Sequence, residues 1–229
     1  MTFAVTPTGD RSAVDERLRW AAQRLSELRI ASDSFLPNVR EDLVAAASVA
    51  SFTFTNVPQS ELGSMAGDVI HNLRACLDNL VWEIAPAAAR SARTAFPIRS
   101  TDSGFTLAAA RSLRGLPTAV IDAIRSVQPF VDESHGGLAD GGGQLLKLLD
   151  DFWNDDKHRV STVAVGTLSV VPPNCLPAGT SFASIARMPE AKREVRFKLQ
   201  REDLSATVDV FMRMHFAVYD VIKRVRTAR

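Results

Sequence analysis

Two cysteines in 229 residues are too few for a disulfide framework, which leaves no sign of an oxidising compartment. One, Cys76, falls inside a helical pattern, and the other, Cys175, in a proline-containing loop. Charge of one sign is also lacking. Lys plus Arg number 27 against 26 Asp plus Glu, a formal net charge of +1. There is thus no global basic field of the kind that holds phosphate backbones or acidic membranes, and nucleic acid is not implied by net charge. No run approaches the roughly 18 uncharged apolar residues of a membrane span. The opening MTFAVTPTGD has neither a basic stretch nor the apolar core of about 7 to 15 residues that marks an export signal. The expectation is a cytoplasmic protein, neither exported nor embedded. What the chain does have is ordinary globular composition, 46% hydrophobic and 23% charged, with no internal repeat and no clear linker. A chain of this length can bury a sizeable core, and a single domain over residues 1–229 is expected.

Periodicity places the elements. Ser12 can cap a first helix, where Val14, Leu18, Ala21, Leu25 and Leu28 form one apolar stripe ending near Ala31. Ser48 to Thr55 alternates, with Phe52 and Phe54 on one face, and reads as a strand. From Ser60 to Ala85, Leu62, Ala66, Val69, Leu73, Leu80 and Ile84 keep helical spacing until Pro86. The opposite side of that helix carries Gly67, His71, Arg74, Ala75, Asp78 and Trp82, a mixture too small and aromatic for a solvated face, so both sides are expected to pack. Shorter helices are predicted over Thr106–Leu113 and Thr118–Val127, then a glycine-rich, mobile stretch from Ser134 to Gly143. A helix over Gln144–His158 should bury Leu145, Leu148, Leu149 and Phe152 while Lys147, Asp150 and Asn154 face away. Val160–Val171, Ser181–Arg187 and Glu194–Leu199 read as strands, and Leu204–Arg226 as a last helix with Val208, Phe211, His215, Val218, Ile222 and Val225 inward. The fold class expected is α+β, a bundle of about five or six helices packed with a small antiparallel sheet.

Two helices carry polar groups where a plain core would want apolar ones. On one, His71, Arg74 and Asp78 share a face at spacings of three and four, with Asn72 beside them. On the other stands Asn154-Asp155-Asp156-Lys157-His158-Arg159, in which Asn154 and His158 share one side and Asp156 and Arg159 another. Asp156 falls near the azimuth of Leu145 and Leu149, and a carboxylate turned inward calls for a partner, Arg74 or Arg159. The favoured reading is an interhelical ion cluster that fixes register. The other is acid/base chemistry, with an imidazole poised near neutral pH, a carboxylate to orient it and a guanidinium to steady developing negative charge. A metal site lacks the tight ligand spacing of a zinc motif, so neither metal nor cofactor is implied.

Weaker signals point the same way. Gly141 to Gly143 precede a helix, yet no phosphate-binding pattern accompanies them, so a loop is the simpler account. His215 on an apolar stripe reads as a hydrogen-bonded core histidine, and Lys223, Arg224, Arg226 and Arg229 as a solvated helix end. No Ser or Cys stands in a nucleophile context.

The segments Gly67 to Ala85, Phe96 to Ile98, Gln128 to Phe130 and Asn154 to Arg159, in this order, resemble a family of uncharacterised bacterial proteins common in actinobacteria. The family pattern runs HNLRSALDHLVW, FPI, QPY and N-x-DKHR. This chain keeps His71, Asn72, Arg74, Asp78, Asn154, Asp156, Lys157, His158 and Arg159, and departs at Asn79, where a His is usual. The resemblance names relatives and implies no activity. A looser likeness is to the helical HEPN ribonucleases, whose Arg is followed after four to six residues by His. No His here has an Arg at that spacing, so such an activity would need Arg74 and His158 assembled from different helices. The expectation is therefore a non-catalytic binding or accessory protein, and the alternative is a metal-independent hydrolase using His71 or His158, Asp156 and Arg74. The partner stays open, a homo-oligomer included.

Overall fold

A computed structural model of the protein describes residues 12–35, 51–54, 59–131, 133–157, 163–170, 191–198 and 205–229, with side chains over 12–33, 61–131, 134–154 and 206–229. Among the described residues run six α-helices: α1 (Ala13–Phe35), α2 (Gln59–Ile84), α3 (Asp102–Ser112), α4 (Thr118–Ser126), α5 (Gly142–Lys157) and α6 (Val208–Thr227). The helical bundle is what the periodicity predicts. None of these helices is long and apolar enough to cross a membrane.

The chain divides into two compact units. The first holds the described residues within Met1–Gln23, Val69–Trp153 and Arg213–Arg229, the second those within Arg24–Asp68 and Asn154–Met212. The first has an apolar core drawn from every helix: Val14 and Ala21, Leu73, Leu77 and Leu80, Phe105, Ile124, Leu149 and Phe152, and Val218 and Val225 are all buried. Each large side chain so enclosed contributes on the order of 1.5 to 3 kcal/mol over its exposed state. Cys76 is one of these core residues. Its thiol donates to the Val14 carbonyl at 3.5 Å, and burial pushes its pKa up to about 12, so it acts as a small apolar side chain and not a nucleophile.

In the second unit Leu25, Leu28, Leu62, Ala66 and Phe211 are buried, with Arg24 paired to Asp68 at 3.3 Å. Its strands β1 (Ser51–Phe54), β2 (Val163–Val170), β3 (Ala191–Lys198) and β4 (Ser205–Thr207) are hydrogen-bonded in that order, each pair antiparallel. Phe52 stands opposite Leu168, Gly166 opposite Val195 and Arg196 opposite Thr207. The strand expected over 181–187 lies outside the described residues.

Several boundaries differ from expectation, each for a local reason. Helix α3 begins a turn before Thr106, since the Thr101 hydroxyl accepts the Gly104 N–H at 3.2 Å and so caps a first turn of Asp-Ser-Gly that has no apolar period to show. Helix α6 begins at Val208 and not Leu204, because Ser205–Thr207 pair with β3 and the Thr207 hydroxyl accepts the Val210 N–H at 3.4 Å. Helix α5 begins at Gly142. Both its first residues are buried, and a Cβ on Gly143 would stand 3.1 Å from the Pro129 Cα, so this glycine serves close packing. The buried stripe of α5 is also turned from the one predicted. Leu146, Leu149 and Phe152 are buried, Leu145 and Leu148 only half so, and Asp150 is drawn in toward Arg74.

His215, expected as a hydrogen-bonded core histidine, is half-buried on α6; it has a backbone hydrogen bond with Leu18, while its Nε2 is enclosed without a partner. Burial lowers its pKa below the usual 6.5, and a backbone hydrogen bond with Leu18 partly opposes this. A base whose folded pKa is depressed is neutral in the native state and protonates first in the unfolded chain. The stability it allows is present above pH 6.5 and lost as pH falls below that value through the folded pKa. His215→Leu should therefore flatten the acid limb: urea unfolding at pH 7 and pH 5 should show a smaller drop for the variant than for the parent. Equal drops would show that His215 does not titrate differently on folding.

Candidate functional site

The feature that organises the first unit's polar interior is Arg74, on the α2 turn between Leu73 and Ala75 and only 8% exposed. Its Nη2 donates to the Phe96 carbonyl at 2.8 Å, its Nη1 lies 2.9 Å from Asp78 Oδ1, and its Nε lies 3.7 Å from Asp150 Oδ1. The same Asp78 oxygen accepts the Phe96 N–H at 2.9 Å. Arg74 and Asp78, one helical turn apart, thus grip both backbone groups of Phe96, the first residue of the Phe-Pro-Ile segment. Nε lies beyond hydrogen-bond distance of Asp150, and Nη1 is close to Asp78 but out of line, so both contacts are Coulombic attraction without an aligned hydrogen bond.

The other predicted residues fall elsewhere. His71 is exposed, contrary to the expectation that both faces of α2 pack, and its ring lies against Trp153 with centroids 5.2 Å apart. Trp82, on the same side, is also exposed, with the Arg90 guanidinium 5.4 Å above its ring. Asn72 accepts from Arg17 at 3.1 Å. Asp78, placed beside Arg74 by spacing, does pair with it, and Asp150, expected to face away, joins them; the partner expected for Asp156 is Arg74 or Arg159. Asp156 is a backbone position of α5 whose side chain lies outside the described residues, as do His158 and Arg159 entirely. Asn154 is exposed near the end of α5. Arg224 and Arg226 are not a purely solvated helix end. Arg224 reaches Ser126 Oγ at 3.4 Å, and Arg226 reaches Asp15 at 2.8 Å, a pairing that raises the Arg226 pKa. Among the described residues no group of three His, Cys, Asp or Glu comes together to hold a metal ion.

Two parts of this region have roles that the sequence does not show, although Gln128 belongs to one of the segments that carry the resemblance. The first is Gln128, which is fully buried. Its Oε1 accepts the Arg99 N–H at 2.9 Å, and its Nε2 donates to the Pro97 and Ile124 carbonyls at 2.9 and 3.1 Å. With Arg74 and Asp78 it fixes the segment from Phe96 to Arg99. The second is the cavity beside that segment, about 900 Å³, lined by Arg74, Arg93, Phe96, Arg99, Leu107 and Arg111 among others. The signal available was local charge: between Glu83 and Asp122 stand five arginines and a single acid, Asp102, hidden by a net charge near zero. No family model matches the chain, and neither a curated protein nor a solved structure matches it.

Proposed function

We propose that the chain is a non-catalytic binding protein of the cytoplasm, in which the charges on α2 and α5 are architectural. The observation that carries this reading is the surroundings of Arg74. It is buried, and it meets a carbonyl oxygen and two carboxylates that together hold a backbone segment in place. Catalytic guanidinium groups face the place where charge develops, whereas this one is spent on the fold. His71, the described histidine of the predicted set, packs on Trp153 at the surface. An α+β class with its sheet as a full layer of the fold, and kinship with the bacterial HNLR, FPI and DKHR family, belong to the same proposal.

Incubating the purified protein with an RNA oligonucleotide and with bis(4-nitrophenyl) phosphate should yield no product above the protein-free rate. Turnover that His71→Ala or His158→Ala abolishes, with the melting temperature unchanged, would sink the reading in favour of a metal-independent hydrolase.

A further inference from the structure

We infer that the arginine-lined cavity between the Arg93–Arg99 segment and α3 is a binding site for a small organic anion carrying phosphate groups. This deepens the binding reading by naming its ligand class. The cavity of about 900 Å³ is lined by Arg74, Arg93, Arg99 and Arg111 together with Ala95, Phe96, Pro97, Gly104, Leu107, Ala108 and Ser112, and no acidic side chain is among them. Its floor is rigid. Arg74, Phe96 and Pro97 are buried, and the segment is pinned by Asp78 and Gln128. Its rim is cationic, because Arg93, Arg99 and Arg111 are exposed.

The charge there is not neutralised from within. Asp78 and Asp150 more than offset Arg74, with one negative charge to spare against the three rim arginines, and Asp102, the lone acid of the surrounding stretch, is engaged by Arg125 at 2.5 Å. The Arg99 guanidinium donates to a neutral acceptor, the Ile98 carbonyl, at 2.6 Å. Among the described residues no carboxylate pairs with Arg93, Arg99 or Arg111. One of the three has a bland account: Arg111 stands in the last turn of α3, where a cation suits the helix dipole. Arg93 and Arg99 stand on the loop and have no such account, yet all three border one concavity. Like charges around one concavity raise its positive potential, and a bound anion lowers it.

The class follows from charge, shape and size. A phosphate group brings close to two negative charges and three acceptor oxygens, which the planar fork of a guanidinium engages two at a time. A cavity of this volume lies at the upper end of what a small organic ligand fills. Leu107, 69% exposed, with Ala95 and Ala108 offers an apolar flank for the carbon part of that ligand.

The test uses pyrophosphate as the probe, titrated calorimetrically into the full chain at low salt. The parent should bind, more weakly as salt is added. The variant Arg93→Ala/Arg111→Ala should lose about tenfold or more in affinity. Its ligand-free melting temperature should match the parent's, since both side chains are exposed and hold no described partner. No binding by the parent, or binding that the double variant retains in full, would overturn the inference. Citrate bound as tightly as pyrophosphate would overturn the phosphate assignment. Affinity for RNA that rises with length beyond that for pyrophosphate would replace the cavity with a nucleic-acid surface. Because this titration measures binding without turnover, a protein that hydrolyses phosphodiesters would fail the earlier assay and could still pass this one.

Discussion

Arg74→Met should lower the melting temperature by roughly 6 to 12 °C, a loss of about 3 kcal/mol in a chain of this size. Methionine keeps the unbranched apolar stem of arginine and lacks only the guanidinium, so part of this loss is the space that the group vacates. The rest comes from the groups that the guanidinium leaves unpaired. The Phe96 carbonyl loses the donor at 2.8 Å. Asp150, with a side chain 18% exposed, and Asp78, 34% exposed, lose the cation that offsets their desolvation. Asp78 lies near the exposure at which solvent takes over that task, which is why the figure stays at the low end of the range for breaking a buried pair. A second substitution separates the terms. Arg74→Met/Asp78→Asn should recover part of the loss, because an amide oxygen can still accept the Phe96 N–H without carrying an unpaired charge. Thermal or urea unfolding reads both. A single variant as stable as the parent would mean that the cluster does not hold the fold, and the non-catalytic reading built on it would fall.

How much of this was legible in the sequence depended on whether the signal was periodic. The stripes of α1, α2 and α6 were readable because Val14, Ala21, Leu25 and Leu28, or Leu62, Ala66, Val69 and Leu73, repeat at a spacing that burial later matches. On α5 four leucines at 145, 146, 148 and 149 satisfy two stripes equally well, and in the one that is buried Asp150 comes to lie beside Arg74. No pattern on α5 alone could have shown that. The core of the site was half visible. Arg74 and Asp78 stood out as polar residues at helical spacing on a packed face, but spacing also placed His71 with them, and a histidine three residues away ended at the surface. Loop geometry was invisible, because a residue such as Gln128 acts through backbone atoms of residues about 30 positions earlier, and backbone groups carry no sequence signature. The arginine cavity was hidden by averaging, since a net charge of +1 conceals a stretch with five arginines and one acid.

Gln128→Leu should cost at least as much as the loss of Arg74, again about 3 kcal/mol or more and a fall in melting temperature of roughly 6 to 12 °C. The replacement is close in volume, so the cavity term is small, and the expected loss rests on three backbone groups that the amide serves. One is the Ile124 carbonyl in the last turn of α4, which has no partner further along its own helix. The other two, the Pro97 carbonyl and the Arg99 N–H, flank Ile98 on a segment with no regular ladder to fall back on. A buried backbone group left unpaired costs about 1 to 3 kcal/mol, and Gln128 itself is 0% exposed, so water has no ready route to take its place. Gln128→Glu tests the polarity of the arrangement: it keeps an acceptor for Arg99, loses both donors and buries a charge, and should be worse than leucine. The pinned segment is also the back wall of the arginine cavity, since Pro97 and Arg99 line it. Gln128→Leu should therefore weaken pyrophosphate binding together with stability, whereas Arg93→Ala/Arg111→Ala should weaken binding and leave stability intact. A Gln128→Leu protein that binds pyrophosphate like the parent while melting lower would uncouple the wall from the site, and would mean that the rim arginines hold the anion without the order that Gln128 imposes.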